Sequence, residues 1–327
     1  MTGRRTTPAN HWWSRPLHRA RSEERSSRRR TLDELLSFFS VALLTATLRS
    51  AAPLVFAAMG GLLSERSGVT NIALEGFMLL GAFAAVAGTW FSGSPFIGLA
   101  IAIATGAAGG LIFAYWSVTL RADQIVAGTA IVLLGLGLTS FLTEQIWGQA
   151  GSSPSVERLP TIGLGMNVLL PVAFLLVPLT HWFLFKTKPG LRVQACGEKP
   201  EAAEAVGINV ARYRYAMVTV SGVLAALGGA YLSIGDLSQF TTNITAGRGF
   251  IALAAVIFGN WMPWGTLGAA LLFGFAQALR FQVQALDLPI PQDIIIALPY
   301  ILTLIAVTGL FRQSTPPAGL GRHASGD

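Results

Sequence analysis

Long uncharged runs separated by short polar ones dominate this chain. Between residues 67 and 120 the only charged side chain is Glu75, and 124–143, 159–185, 215–235, 249–279 and 294–311 carry none. Crossing a hydrocarbon core of about 30 Å takes about 20 apolar residues. The pattern therefore predicts an all-α polytopic membrane protein with about eight or nine transmembrane helices. Crossings are expected near 35–63, 70–90, 96–118, 125–146, 168–186, 215–235 and 293–311. The first is expected to bend, because it contains Pro53, which removes a helix donor. The window 249–279 is split by Gly259-Asn260-Trp261-Met262-Pro263-Trp264-Gly265 into halves that each read as short. It predicts a broken or re-entrant hairpin, shielded from lipid by protein or a watery cavity.

Composition makes the membrane reading firm. Of 327 residues, 52% are hydrophobic and 12% charged, against about 25% charged in soluble domains. Such a chain cannot cover a water-facing surface, which excludes a soluble globular enzyme. The 36 glycines suit closely packed membrane helices, and Gly106 and Gly110 have the spacing of a helix-packing seam. The net charge of +7 is uneven: nine arginines fall in the first 30 positions, and six basic residues fall in 186–214. Basic clusters flanking apolar spans report orientation or anionic lipid rather than nucleic acid. The single cysteine, Cys196, excludes an internal disulfide.

Three segments follow: a polar Arg-rich tail, 1–34, read as disordered; a transmembrane domain, 35–312; and a polar C-terminal tail, 313–327. The one long charged interior loop, 186–214, reads as cytoplasmic by its basic residues. Its core, 197–207, reads as one short helix with Pro200 in the first turn and Gly207 as its stop. Counting spans back from that loop puts the N-terminal tail outside, against its nine arginines. Either the 35–63 stretch returns to its starting side, or the tail is translocated against the charge rule.

No catalytic centre is visible. The three lysines, Lys186, Lys188 and Lys199, never follow a glycine, so the phosphate-cradling Gly-x4-Gly-Lys-Ser/Thr loop is missing. Glu75 stands out, because a carboxylate at the centre of a span costs about 2.5–3.5 kcal/mol on insertion scales. With Asn71 one turn earlier, it reads either as the lining of a solute path or as a buried structural hydrogen bond. Asn243, Asn260 and Gln277 are softer candidates for a path around the broken hairpin. Trp261 and Trp264 read as interfacial belt residues.

Four runs together resemble a known family: GGLLSERSGVTNIALEGFMLLGAF (60–83), LRADQIVAGTAI (120–131), GEKPEAAEAVGINVARYRYAMVTVSGVLAALGGAYLS (197–233) and GFIALAAVIFGNWMPWGTLGAALLFGFAQAL (249–279). They are similar to permease subunits of bacterial ABC importers for branched-chain amino acids, ribose-type sugars and nucleosides, with the nucleoside permeases nearest. The resemblance implies a multi-pass protein of the bacterial inner membrane. It implies that Asn71 to Glu75 and the 249–279 hairpin, which holds Asn260 and Gln277, lie around the translocation path. It also implies a short coupling helix docking on a separate ATPase through Glu198, Glu201, Ala202, Ala203, Glu204 and Gly207. Its other expected partners are a second permease chain, identical or homologous, and an extracytoplasmic binding protein. No cofactor is expected in this chain, because ATP would bind the partner subunit. An ion-coupled secondary transporter is the rival class, but it needs intramembrane acids, and Glu75 alone is firmly placed.

Overall fold

The computed structural model describes residues 41–163, 166–285 and 314–322. The tail at 1–34, the crossing expected at 293–311 and the chain beyond 322 lie outside the described residues. Two compact units divide after Leu44. The first contributes only the opening of α1 to the described residues, and the second, Thr45–Asp327, carries the rest.

The helices are α1 (Val41–Arg66), α2 (Leu74–Ser92), α3 (Pro95–Ala114, continued by a π turn, Tyr115–Thr119), α4 (Gln124–Trp147), α5 (Leu169–Lys186), α6 (Lys188–Glu198), α7 (Pro200–Ala205), α8 (Val210–Ala230, continued by a π stretch, Tyr231–Leu237), α9 (Arg248–Phe258) and α10 (Pro263–Ala285). Local chemistry sets their ends. The Asp123 carboxylate caps α4 by accepting from the backbone N–H groups of Ile125 and Val126, both at 2.9 Å. Gly93 and Gly148 close α2 and α4 at φ of 69° and 65°, where a side chain would be strained.

Seven described helices are long and apolar enough to cross a membrane: α1, α2, α3, α4, α5, α8 and α10. α1 runs unbroken through Pro53, and its 26 residues span about 39 Å at 1.5 Å per residue. Its described part therefore does not double back. The split window departs from expectation on one side only. α9 is short, with 11 residues, but α10 continues past Leu279 through Arg280 to Ala285 and is a full-length span.

Close packing of α2, α3 and α8 forms the centre. A Cβ on Gly106 would lie 2.5 Å from the Gly222 carbonyl oxygen, and one on Gly110 would lie 2.8 Å from Thr219 Cα. The seam read from the Gly106/Gly110 spacing thus packs α3 onto α8. α2 and α8 are largely buried, whereas α3, α4 and α5 leave most of their apolar surface exposed. α4 and α5 present Leu133, Phe141 and Trp182, and the α2–α3 corner presents Phe91 and Phe96, as exposed apolar side chains suited to lipid contact.

The connections gather at two ends. At one end, the 151–159 segment hydrogen-bonds with 234–242, through Ser153 to Phe240, Val156 to Ser238 and Leu159 to Ile234. At the other end lie the α1–α2 connection, the α6–α7 unit, the α9–α10 turn and residues 314–322. Gly321 bonds to Gly68, Gly319 bonds to Gly197, and Thr315 bonds to Asn260.

Candidate functional site

Two clusters hold most of the chemistry. The first is built on Glu75. After Arg66 the chain turns back along α1, with the Ser64 hydroxyl donating to the Val69 carbonyl and the Val69 N–H donating to Ser64. α2 therefore starts inside the bundle, beside Gly61, whose Cβ would meet Leu74 at 2.8 Å. Asn71 precedes that helix rather than sitting on it, which corrects the expectation of a shared helical face. Its Nδ2 donates to Ser221 Oγ of α8 at 2.8 Å, and its buried Oδ1 has no partner.

Glu75 occupies the first turn of α2 and is 2% exposed. One carboxylate oxygen accepts from Thr245 Oγ1 at 2.5 Å and from the Gly247 N–H at 2.8 Å. The other accepts from the Gly249 N–H at 2.6 Å. The carboxylate thus sits at the amino ends of both α2 and α9, where orphan N–H groups and the helix dipoles favour negative charge. The geometry requires Gly249, because a Cβ there would lie 2.4 Å from the Glu75 nitrogen.

The remaining path candidates are dispersed. Asn243 is exposed in the loop before α9, with φ of 58°. Asn260 is exposed in the α9–α10 turn at φ of 53°, and its Oδ1 accepts from the Thr315 N–H at 2.8 Å. Gln277 lies along α10 with a buried, unpartnered Oε1. Asn71 and Glu75 hold different elements, α8 and the amino end of α9.

The second cluster is the α6–α7 unit. The expected single helix over 197–207 is two helices, because Lys199 leaves helical geometry with φ of −144°. Glu198 closes α6, and Pro200 opens α7 at its first position. Gly207, at φ of 82°, turns the chain out. Ala203 is buried and seats α7 against Cys196 and Val210, while Glu201, Ala202 and Gly207 face outward and Glu204 is partly covered. Ala195, Ala202, Val206, Ile208 and Ala318 help to line an apolar groove of about 310 Å³ beside it. Glu198 lies 3.8 Å from Arg66 and accepts from the Ala318 N–H at 3.2 Å.

Several residues here carried no usable signal in the sequence. Arg214 reads as one more basic loop residue, yet it is 2% exposed in α8. Its Nε donates to Ser67 O at 3.2 Å, and its Nη1 donates to Arg322 O at 2.8 Å. Trp261 is not a belt residue. It is 4% exposed, and its Nε1 donates to the buried Glu65 carboxylate, whereas Trp264 is 54% exposed. An indole buried with a donor needs an acceptor, and the only hint of one was an acid at the end of an apolar run.

Burial raises the Cys196 thiol above its ordinary range, and the nearby Arg214 opposes that shift. Thiolate is therefore scarce at neutral pH, and the sulfur is sterically covered. Purified native protein is expected to resist a maleimide reagent and to label fully once unfolded in detergent. Rapid labelling of the native protein would contradict this burial. Val206, 75% exposed, is the better reporter of sidedness: Val206→Cys in a Cys196→Ala background is expected to label readily from the side that α7 faces.

The described residues form a helical membrane bundle with a small two-helix unit, α6–α7, at one end, the architecture of a membrane transport subunit. Residues 43–307 match the family of the branched-chain amino acid transport system permease component, and the chain belongs to that family. It is a multi-pass permease of the inner membrane. The guanosine ABC transporter permease protein NupQ of Bacillus subtilis (strain 168) is 42% identical over 299 residues, 84% of this chain and 94% of NupQ. The nucleoside ABC transporter permease protein NupC of Lactococcus lactis subsp. cremoris (strain MG1363) is 35% identical over 292 residues, 82% of this chain and 92% of NupC. A second Bacillus subtilis (strain 168) protein, the guanosine ABC transporter permease protein NupP, is 26% identical over 270 residues, 76% of this chain and 75% of NupP.

Proposed function

We propose that this chain is the transmembrane subunit of an ATP-driven nucleoside importer, coupled to a separate ATPase through α6 and α7. The α6–α7 unit carries the reading. It is seated by buried Ala203, yet it presents Glu201 and Ala202 to a partner. Small residues permit close approach, and Glu201, with Glu198 and Glu204 nearby, offers carboxylates to a basic groove. A rigid two-helix unit pushed sideways moves the spans to which it is joined, α5 and α8, as alternating access requires. Nucleosides are favoured as cargo because NupQ and NupC, named for guanosine and nucleosides, are 42% and 35% identical to this chain over 94% and 92% of their lengths.

NupP and NupQ are distinct permease proteins of one organism, and this chain is far more like NupQ. That supports pairing with a homologous sister permease rather than with a second copy. ATP is bound by the partner subunit, an extracytoplasmic protein delivers the nucleoside, and this chain needs no cofactor. Under this reading the α6–α7 end faces the cytoplasm.

Glu201→Arg is the direct test. Reconstituted with its ATPase, the variant is expected to insert normally but to lose about tenfold or more of its ATP-driven guanosine uptake, since like charges set across an interface cost several kcal/mol. Uptake at the parental rate would reject α7 as the coupling element.

A further inference from the structure

Residues 314–322 form a short extended segment ending in a turn, and their main-chain atoms make five hydrogen bonds to four separate elements. The Thr315 N–H donates to Asn260 Oδ1 of the α9–α10 turn at 2.8 Å. The Ala318 N–H reaches Glu198 Oε2 at 3.2 Å, and the Gly319 N–H reaches Gly197 O at 2.8 Å, both at the end of α6. The Gly321 N–H donates to Gly68 O of the α1–α2 connection at 3.0 Å. The Arg322 carbonyl accepts from Arg214 Nη1 of α8 at 2.8 Å. Pro317 and Gly319 are buried. Gly319 has no room for a side chain, because a Cβ would lie 2.8 Å from Gly197 O and 2.9 Å from Pro200 Cδ.

We infer that 314–322 is a coupling strap: it ties the α6–α7 lever to the α9–α10 hairpin, so that a push on the lever moves the hairpin as well as α5 and α8. The inference rests on the ATP-driven reading above. Its own ground is mechanical. The lever is joined covalently only to α5 and α8, whereas the Glu75 cluster is closed by the amino end of α9. Apart from the covalent route through α8 and the 231–247 connection, motion at the lever reaches the hairpin through non-covalent ties at this end. One described tie runs through Arg66, which lies 3.8 Å from Glu198 while its Nε donates to Trp261 O at 2.8 Å. The strap is the second, and its own N–H groups hold both bodies: Gly197 O and Glu198 Oε2 on the lever side, and Asn260 Oδ1 on the hairpin side.

Four of these five bonds use strap N–H groups and the fifth uses a strap carbonyl. The strap's side-chain bond, Thr315 Oγ1 to Asn260 Oδ1, is long at 3.5 Å, so on the strap's side backbone path rather than side-chain identity does most of the holding. Asn260 therefore gains a specific duty. Its φ of 53° suits Asn, Asp or Gly, but among these only a side chain with an acceptor oxygen can hold Thr315. Asn260→Gly keeps the turn and removes the acceptor, whereas Asn260→Asp keeps both.

The test uses the complete transporter in proteoliposomes, with its ATPase, sister permease and binding protein, and radiolabelled guanosine as probe. Guanosine imported per ATP hydrolysed is measured for the parent, for a chain ending at Gln313, for Asn260→Gly and for Asn260→Asp. The truncated chain is expected to bind and drive its ATPase while importing about tenfold less per ATP, because several concerted hydrogen bonds are lost. Asn260→Gly is expected to lose about threefold, as one such bond allows, and Asn260→Asp is expected to match the parent. An unchanged ratio in the truncated chain overturns the strap, as does a parallel fall in hydrolysis and uptake. If the truncated chain does not accumulate, the Asn260 pair decides, and equal ratios for Gly and Asp overturn the proposal. A parent that hydrolyses ATP with its partners but imports neither guanosine nor any other nucleoside sinks the nucleoside reading instead.

Discussion

Glu75→Ala is expected to destabilise the folded permease by about 3–5 kcal/mol, the range for removing one partner from a buried charge-assisted cluster. Three donors lose their acceptor together: Thr245 Oγ1 and the backbone N–H groups of Gly247 and Gly249. Each hydrogen bond to a charged group contributes about 1.5–3 kcal/mol, and buried donors left unpaired add their own desolvation cost. The amino end of α9 would then be an uncapped helix end inside the bundle, the condition least tolerated in membrane proteins. Glu75→Gln is expected to fall between the two, because an amide retains one acceptor oxygen but sets an N–H₂ against one of the donors. Thermal unfolding in detergent, followed by loss of the monodisperse species, measures the effect, and a drop on the order of 10 °C is expected for Ala. An unchanged midpoint for Glu75→Ala would show that the carboxylate does not hold α9.

Gly222→Val is expected to break the α3–α8 seam. A Cβ there would lie 2.3 Å from the Gly106 carbonyl oxygen and 3.0 Å from the Gly110 nitrogen and Cα. All three contacts are backbone, so neither helix can yield by a rotamer change, and the helices must separate. Overpacking costs about 1–3 kcal/mol even where side chains absorb it, so at least about 3 kcal/mol is expected here. Gly137→Ala is the internal control. It lies on exposed α4 with nothing within 4 Å of its Cβ, and exchanging a helical glycine for alanine stabilises by about 0.5–1 kcal/mol. If Gly222→Val unfolds at the same temperature as Gly137→Ala, the close approach of α3 and α8 is wrong.

Glu75 shows how far one-dimensional pattern reaches. Its isolation between residues 67 and 120 marks it as costly and therefore paired or solvated. The pattern cannot name the partner, because Thr245, Gly247 and Gly249 lie about 170 residues away. Asn71 fared worse, since one-turn spacing presumed a continuous helix, while α2 starts only at Leu74. Arg214 and Trp261 were invisible for the same reason. A basic residue in a basic loop and a tryptophan in a polar turn are most economically read as solvated or interfacial. Burial by distant segments, Ser67 and Arg322 for one and Glu65 for the other, reverses both readings.

Most crossing segments among the described residues, the helix ends at glycine and proline, the tight glycine seam and the short acidic helix opened by Pro200 could be read from the chain by itself. Each depends on transfer free energies and backbone preferences that act within about 20 consecutive residues. Tertiary structure alone decided that α9 is pinned at Glu75, that α10 continues through Arg280, and that 314–322 bonds both to the end of α6 and to the α9–α10 turn. Those outcomes depend on which distant backbone groups remain unpaired after each helix has formed, and a linear pattern of apolar and polar positions does not hold that information.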